Sequence, residues 1–195
     1  MYRLLYALLL VLLVIVNLPA FADEHILTPM VGYSKWSDPT GHTARGSEIS
    51  FSDDTQTTYG FRYLYLLDNH FAVGGNIYAH DLDVKTPGQA DDAAVAHVHA
   101  LVEYFFPVMD KSSFFIGAGI GFSAVGFTGG NLHEKGTGGR SFELNGGYLY
   151  RISDIIGVQL EYKYTKFDME EDIDSQPTNI ESSSDSLLLG LTIHL

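Results

Sequence analysis

Three histidines are close enough in the sequence to suggest a metal site. His97 and His99 are two residues apart, so in an extended strand both side chains point to the same face. Two imidazoles on one face hold Zn²⁺ when a neighbouring segment supplies a third ligand, and His80 is the candidate for it. Polar filling of a protein interior explains the same pattern more simply. We therefore predict no metal site and no cofactor, and the chain has no cysteine to offer a thiolate.

Five carboxylates occur within the seven residues 168–174. They are Asp168, Glu170, Glu171, Asp172 and Asp174. The segment lacks the glycine and the ligand spacing of an EF-hand, so a solvated loop whose charges repel one another is the simplest interpretation. A sharper hypothesis is that divalent cations bridge this acidic loop to phosphate groups, or that a basic partner binds it.

Six further charged residues balance one another in sign. They are Arg62, Arg151, Lys163, Glu103, Glu143 and Glu161. Each lies on the polar side of a segment in which polar and apolar residues alternate. An unpaired charge inside a protein is costly, so these groups must form pairs or keep water if their side of the segment is enclosed. The elements that carry them therefore decide what they do.

Alternation with a period of two runs through most of the chain. In residues 156–165, apolar side chains at every second position oppose Gly, Gln, Glu, Lys and Thr, a pattern typical of a β-strand. Seven other segments share it, most weakly residues 27–36. Three connections are short turns with Asp or Asn, and four are long and polar: 37–58, 81–92, 126–140 and 168–183. This arrangement predicts an all-β, eight-stranded, antiparallel up-and-down barrel with its long loops at one end.

The polar faces indicate which side of the barrel is enclosed. Over all eight strands they carry only the six charged residues above, whereas a solvated surface is about a quarter to a third charged. One of them presents Gly117, Gly119 and Gly121, which suits a narrow lumen. The apolar faces, in contrast, would overfill the interior of an eight-stranded barrel. We therefore predict a transmembrane barrel with apolar faces in lipid, two aromatic belts, and a closed polar plug formed by the six charges.

The N-terminal residues predict secretion. Arg3 precedes a run of 13 apolar residues at positions 4–16, and residues 20–22 have the Ala-Phe-Ala sequence of a cleavage site. The run is shorter than the roughly 20 apolar residues that a transmembrane helix needs. We predict a signal peptide over residues 1–22 and a barrel domain over residues 23–195. The net charge of −13 argues against nucleic acid as a partner.

The signal peptide, the eight strands and a last strand that reaches the final residue resemble the small outer-membrane β-barrel family that includes the OmpA transmembrane domain and OmpX-like proteins. The resemblance covers residues 23–195. Its most specific part is the C-terminal segment, in which Gly190 is followed by alternating hydrophobic residues that include Ile193 and Leu195. This is similar to the barrel-assembly signal of such proteins, which usually ends in Phe or Trp. The resemblance implies a bacterial outer-membrane location, with lipopolysaccharide, membrane lipid and the barrel-assembly machinery as partners.

The resemblance also implies a non-enzymatic, integral protein of the Gram-negative cell envelope. Its surface loops would take part in adhesion or in another interaction with host or cell-surface ligands. A narrow OmpW-like channel for ions or small solutes is the alternative, with the six charges lining a gated path. Modification of lipid A is less favoured, because no serine–histidine pair occurs on the lipid-facing positions.

Overall fold

The barrel is built from nine strands in a single sheet. The computed structural model describes residues 24–42, 48–50, 55–67, 70–86, 89–128, 137–173 and 176–195. Its strands are β1 (Glu24–His42), β2 (Glu48–Ser50), β3 (Gln56–Leu66), β4 (Phe71–Thr86), β5 (Gln89–Met109), β6 (Ser112–Thr128), β7 (Thr137–Arg151), β8 (Ile156–Ile173) and β9 (Gln176–His194). The predicted signal peptide, residues 1–22, lies outside the described residues and stays a prediction. No helix in the described part of the chain is long and apolar enough to span a membrane.

Eight of these strands close into a barrel. From β3 to β9 each strand pairs antiparallel with the next, β1 pairs with β3, and β1 also pairs with β9. The three residues of β2 pair with the end of β1 and do not form a ninth strand of the barrel wall. The predicted fold class, an eight-stranded antiparallel up-and-down barrel, is therefore confirmed.

The strand pair that closes the barrel is interrupted. In the pairing of β1 with β9, Leu27 is opposite Ile193 and Met30 is opposite Gly190, but Thr28 and Pro29 have no partner in β9. Proline lacks a backbone N–H and therefore removes a hydrogen bond from the ladder. On the other edge of β1, pairing with β3 is continuous from Glu24 to Ser34.

The two ends of the barrel differ in their connections. Short turns join β3 to β4, β5 to β6 and β7 to β8 at one end, which is called the short-turn end below. Both termini of the barrel lie there, because His25 and Leu195 exchange backbone hydrogen bonds of 2.9 and 3.0 Å. The opposite end is called the hairpin end.

The strands extend further toward the hairpin end than predicted. β4 ends at Thr86 and β5 begins at Gln89, while β8 ends at Ile173 and β9 begins at Gln176. The prediction of four long loops, and of an acidic loop at 168–174, is therefore wrong for most of these residues, which are strand. A hairpin that extends beyond the apolar environment does not need alternating polar and apolar side chains. Its backbone N–H and C=O groups still form hydrogen bonds between the two strands. Alternation therefore stops before the strands do.

The two faces of the barrel have opposite character. Ile116, Tyr162 and Leu189 are 58%, 53% and 58% exposed on the outer face, as are many other large apolar side chains. Glu161 and Lys163, their polar neighbours along β8, are fully buried in the lumen. The predicted outward orientation of the apolar face is therefore confirmed.

The lumen contains three layers of side chains. An apolar layer fills the short-turn end; it consists of Ile26, Leu64, Leu66, Ala72, Leu101, Phe105, Phe115 and Leu149. A charged layer around Arg62 and Lys163 follows, and an aromatic–histidine layer lies nearest the hairpin end. That third layer consists of Trp36, Tyr78, His80, His97 and Phe167. The sequence predicts a polar plug and does not anticipate the apolar layer, which is formed by apolar residues on the otherwise polar faces of the strands.

Candidate functional site in the barrel lumen

Arg62 is the first of two cations in the charged layer. Strand β3 places its guanidinium in the lumen, where it donates hydrogen bonds to Glu103 at 2.8 Å and to Glu161 at 3.1 Å. It also donates to the amide oxygen of Gln159, and its Cζ atom lies 4.9 Å from the centre of the Phe115 ring. Because the side chain is 1% exposed, these contacts replace the water that the charge has lost.

Lys163 is the second cation of the layer. Its Nζ atom forms ion pairs with Glu143 at 3.1 Å and with Glu161 at 3.4 Å. The same atom lies 4.3 Å from the centre of the Tyr78 ring. Since Glu161 contacts Arg62 as well as Lys163, the two cations belong to one network.

Three amide side chains hold the three carboxylates of the layer. Asn76 donates to Glu143 at 2.9 and 3.0 Å, Asn145 donates to Glu103 at 2.7 Å, and Gln159 donates to Glu161 at 2.9 Å. Hydrogen bonds to an ionised carboxylate are stronger than neutral ones. Two cations therefore face three carboxylates, and the amides stabilise the excess negative charge.

His99 joins the layer from β5. Its Nδ1 atom is 3.0 Å from a carboxylate oxygen of Glu143 and 3.3 Å from the side-chain oxygen of Asn76. Its Nε2 atom is 2.8 Å from the hydroxyl of Ser141. Both ring nitrogens of His99 are thus occupied by partners in the charged layer.

The structure brings together five of the six charged residues that the sequence singles out. Arg151 lies apart from them, at the end of β7, where it donates to Glu24 at 2.9 and 3.1 Å. His194 also contacts Glu24. Grouping Arg151 with the other five is therefore wrong, because the last residue of a strand lies at the rim of the barrel, on the other side of the apolar layer.

Three amide residues of the charged layer are absent from the sequence prediction. They are Asn76, Asn145 and Gln159. All three are on the inward positions of predicted strands, so the alternation pattern carries the signal that finds them. A search restricted to charged residues misses them because an amide has no charge.

The aromatic–histidine layer contains polar atoms without partners. The Nδ1 atom of His97 is 2.6 Å from the hydroxyl of Ser123, but Nε2 of His97, both nitrogens of His80 and Nε1 of Trp36 have no hydrogen-bond partner among the residues that the structure describes. The three side chains that carry these atoms are buried. Within the described ranges, no group of three or more His, Cys, Asp or Glu side chains is arranged to hold a metal ion.

The predicted assembly signal lies beside the first strand. Gly190 faces inward, and a Cβ atom at this position would come within 2.6 Å of Thr28 and 2.9 Å of Gln159. Ile193 is partly exposed, and Leu195 is 67% exposed. The glycine is thus required for close packing in the lumen, and the role of the segment in assembly stays a prediction.

The acidic segment is only partly described. Asp168 is exposed near the hairpin end of β8. The side chains of Glu170, Glu171 and Asp172 lie outside the described residues, as does the whole of Asp174. Cation bridging by this segment therefore remains a prediction.

A lumen filled with buried side chains and an apolar outer surface fit a small barrel that spans a membrane. A family model, the outer membrane protein beta-barrel domain, matches residues 8–189. The chain belongs to this family. Like other outer membrane protein beta-barrels it lies in the bacterial outer membrane. Barrels of this kind generally place their short turns toward the periplasm and their longer connections toward the outside. No curated protein matches the chain by sequence.

Solved structures of outer-membrane barrels share the fold of the chain. Neisserial surface protein A has a TM-score of 0.62 at 12% identity, and the match covers 87% of this chain and 96% of that protein. OprG from Pseudomonas aeruginosa has a TM-score of 0.64 at 13% identity, with coverages of 89% and 96%. Ail of Yersinia pestis, solved with the heparin analogue sucrose octasulfate, has a TM-score of 0.52 at 13% identity, with coverages of 88% and 99%. At these identities the likeness shows the fold alone.

Proposed function

We propose that the chain is a sealed, non-enzymatic outer-membrane barrel that displays its hairpins at the cell surface for adhesion or another interaction. The apolar layer carries this proposal. Its eight side chains are at most 9% exposed and fill the lumen at the short-turn end. An ion that crossed this layer would lose its hydration without finding a polar group in return.

The charged layer supports the same proposal. Arg62 and Lys163 both contact carboxylates, and Arg62, Glu103, Glu143, Glu161 and Lys163 are at most 1% exposed. In a water-filled pore, charges of one sign line a wall and remain hydrated. In this barrel the charges pair across the lumen, so ion passage requires several buried ion pairs to break.

Conductance in a planar lipid bilayer tests the proposed function. We expect the purified, refolded barrel to insert without steady single-channel openings, with insertion shown by heat-modifiable mobility of protein recovered from the bilayer lipid. Steady openings that are lost in Arg62→Ala or Glu103→Ala would overturn the proposal and establish the OmpW-like channel. Unchanged lipid A masses on overexpression are the expected result for a protein that is not a lipid A enzyme.

The acidic hairpin of β8 and β9 indicates which charge the binding partner should have. Residues 168–174 hold five carboxylates and no basic residue. Ail was solved with a polyanion, sucrose octasulfate, which an acidic hairpin repels. We therefore expect the partner of this chain to be a basic surface, or a phosphate such as that of lipopolysaccharide bridged by a divalent cation.

Neutralisation of the hairpin tests this expectation. The variant changes Asp168, Glu170, Glu171, Asp172 and Asp174 to the corresponding amides. We expect it to lower the attachment of expressing cells to a positively charged surface, whereas the control Asp110→Asn, in the turn at the opposite end, leaves attachment unchanged. Equal attachment of the two variants would contradict the expectation.

A further inference from the structure

We propose that His80 and His97 form a binding site for one divalent transition-metal ion in the aromatic–histidine layer. The centroids of the two rings are 5.2 Å apart, and the rings are tilted by 31°. Two imidazoles that bind one tetrahedral ion through nitrogens at about 2.0–2.1 Å have centroids about 5 Å apart. The observed spacing matches that of two ligands of one ion.

The nitrogens needed for such a site have no other partner in the described part of the chain. Both ring nitrogens of His80 and the Nε2 atom of His97 lack a hydrogen bond there, although the two side chains are only 2% and 0% exposed. Buried polar atoms in folded proteins almost always have a partner. An ion between the rings would use one nitrogen of each.

Ser123 prepares His97 for this role. Its hydroxyl lies 2.6 Å from Nδ1 of His97, on the side of the ring away from the free nitrogen. When Nδ1 donates its proton to this hydroxyl, Nε2 carries the free lone pair that a metal ion requires. Metal-binding histidines usually have such a hydrogen bond on the second ring nitrogen, which fixes the tautomer and the ring orientation.

The neighbouring histidine is not the second ligand. His99 lies on the same face as His97, but its two nitrogens contact Glu143, Asn76 and Ser141. The metal hypothesis weighed from the sequence, and not adopted there, takes His97 and His99 with His80 as a third ligand, whereas the proposed site uses His80 and His97. The positive charge of Lys163 in the layer below is compensated by its two ion pairs.

The ligand atoms define the class of ion. Imidazole nitrogens bind Cu²⁺, Ni²⁺ and Zn²⁺ in preference to Mg²⁺ and Ca²⁺, and Cu²⁺ binds most tightly in the series. Since the described residues hold no third ligand, water completes the coordination. The affinity is therefore lower than that of a closed structural zinc site. This inference does not depend on whether the lumen conducts or on what the hairpins bind.

Titration of Cu²⁺ into the untagged, refolded chain in detergent micelles tests the proposal. We expect one equivalent to bind, with an electron paramagnetic resonance spectrum that shows coupling to imidazole nitrogen. His80→Phe and His97→Phe should each weaken binding by at least about tenfold, and Ser123→Ala should weaken it less. Zn²⁺ should compete for the site, and Mg²⁺ should not.

The matched control is His70→Phe, which removes an exposed histidine at the short-turn end and leaves Cu²⁺ binding unchanged. Heat-modifiable mobility shows that each variant has folded. Equal Cu²⁺ binding by the double variant His80→Phe/His97→Phe would overturn the proposal by placing the ion elsewhere. Absence of binding to the folded wild-type chain at micromolar Cu²⁺ would overturn it as well.

Discussion

Glu161 lies 3.1 Å from Arg62 in the middle of the lumen, and both side chains are buried. The two residues come from β3 and β8, which are not neighbours in the sheet, so their contact crosses the barrel. Glu161 also contacts Lys163, which makes it the carboxylate that both cations share. The charged layer has two cations and three carboxylates. Loss of a cation should therefore destabilise the barrel more than loss of a carboxylate.

Replacement of Arg62 by Met should destabilise the barrel strongly. Among the described residues, the variant leaves Lys163 as the only Lys or Arg beside three buried carboxylates, and loss of one partner from a buried pair costs about 3–5 kcal/mol. We expect a decrease of this size in the free energy of unfolding, measured by urea titration in lipid vesicles with gel mobility as the readout.

Glu161→Gln is the matched comparison for Arg62→Met. It leaves two carboxylates for two cations, so each cation keeps one ion pair, with Glu103 or with Glu143. We expect its cost to be clearly smaller than that of Arg62→Met. Equal costs for the two variants would contradict the charge count on which this prediction depends.

Arg151→Ala should have little effect on stability, although sequence alone groups this arginine with Arg62. The Arg151 side chain is 38% exposed and pairs with Glu24 at the rim. Ion pairs in contact with water contribute at most about 1 kcal/mol, and salt weakens them. Urea titrations at low and high salt should give a small loss that shrinks as salt is added; a loss as large as that of Arg62→Met would refute this reading.

Removal of two aromatic rings from the apolar layer should unseal the lumen. Phe105 and Phe115 pack against each other with their ring centroids 5.6 Å apart. We expect Phe105→Ala/Phe115→Ala to show intermittent ion currents in a planar bilayer where the wild type shows none. Ile116→Ala, which shortens an outward side chain on the same strand, should stay silent.

Gly121→Ala should impair folding of the barrel. A Cβ atom at this position would clash with the backbone oxygen of Val98 and lie 2.7 Å from Cα of His99, so the neighbouring strand must move. Overpacking of this kind costs about 1–3 kcal/mol or more. The heat-modifiable fraction after refolding should fall, whereas Gly138→Ala, whose added atom would be 3.4 Å from its nearest neighbour, should refold normally.

Periodicity predicts the eight barrel strands and divides each into two faces, and the scarcity of charge predicts which face points inward. The alternation at 156–165 identifies β8, and the scarcity of charge on its polar side predicts that Glu161 and Lys163 point inward, as they do. Because one side of each strand faces the lumen and the other faces lipid, polar and apolar residues alternate with a period of two. The amino-acid sequence shows this period directly.

Pairing within the lumen could not be predicted in the same way. The contact of Arg62 with Glu103 depends on the register of β3, β4 and β5, and the sequence does not fix that register. The apolar layer is not predicted for another reason: Phe115 and Leu149 lie on inward faces whose other members are mostly polar or small, and only the folded barrel brings them together in one cluster. Strand length was underestimated because beyond the membrane the backbone ladder alone holds a strand together.

The interruption at Thr28 and Pro29 makes the pairing of β1 with β9 weaker than that of the other neighbouring strands. The pairing of β3 with β4 and of β8 with β9 is continuous, whereas the pairing of β1 with β9, which closes the barrel, omits these two residues. Within the barrel wall, backbone amides beside this interruption should therefore exchange with deuterium first. In strong denaturant, β1 and β9 should be the first strands to separate.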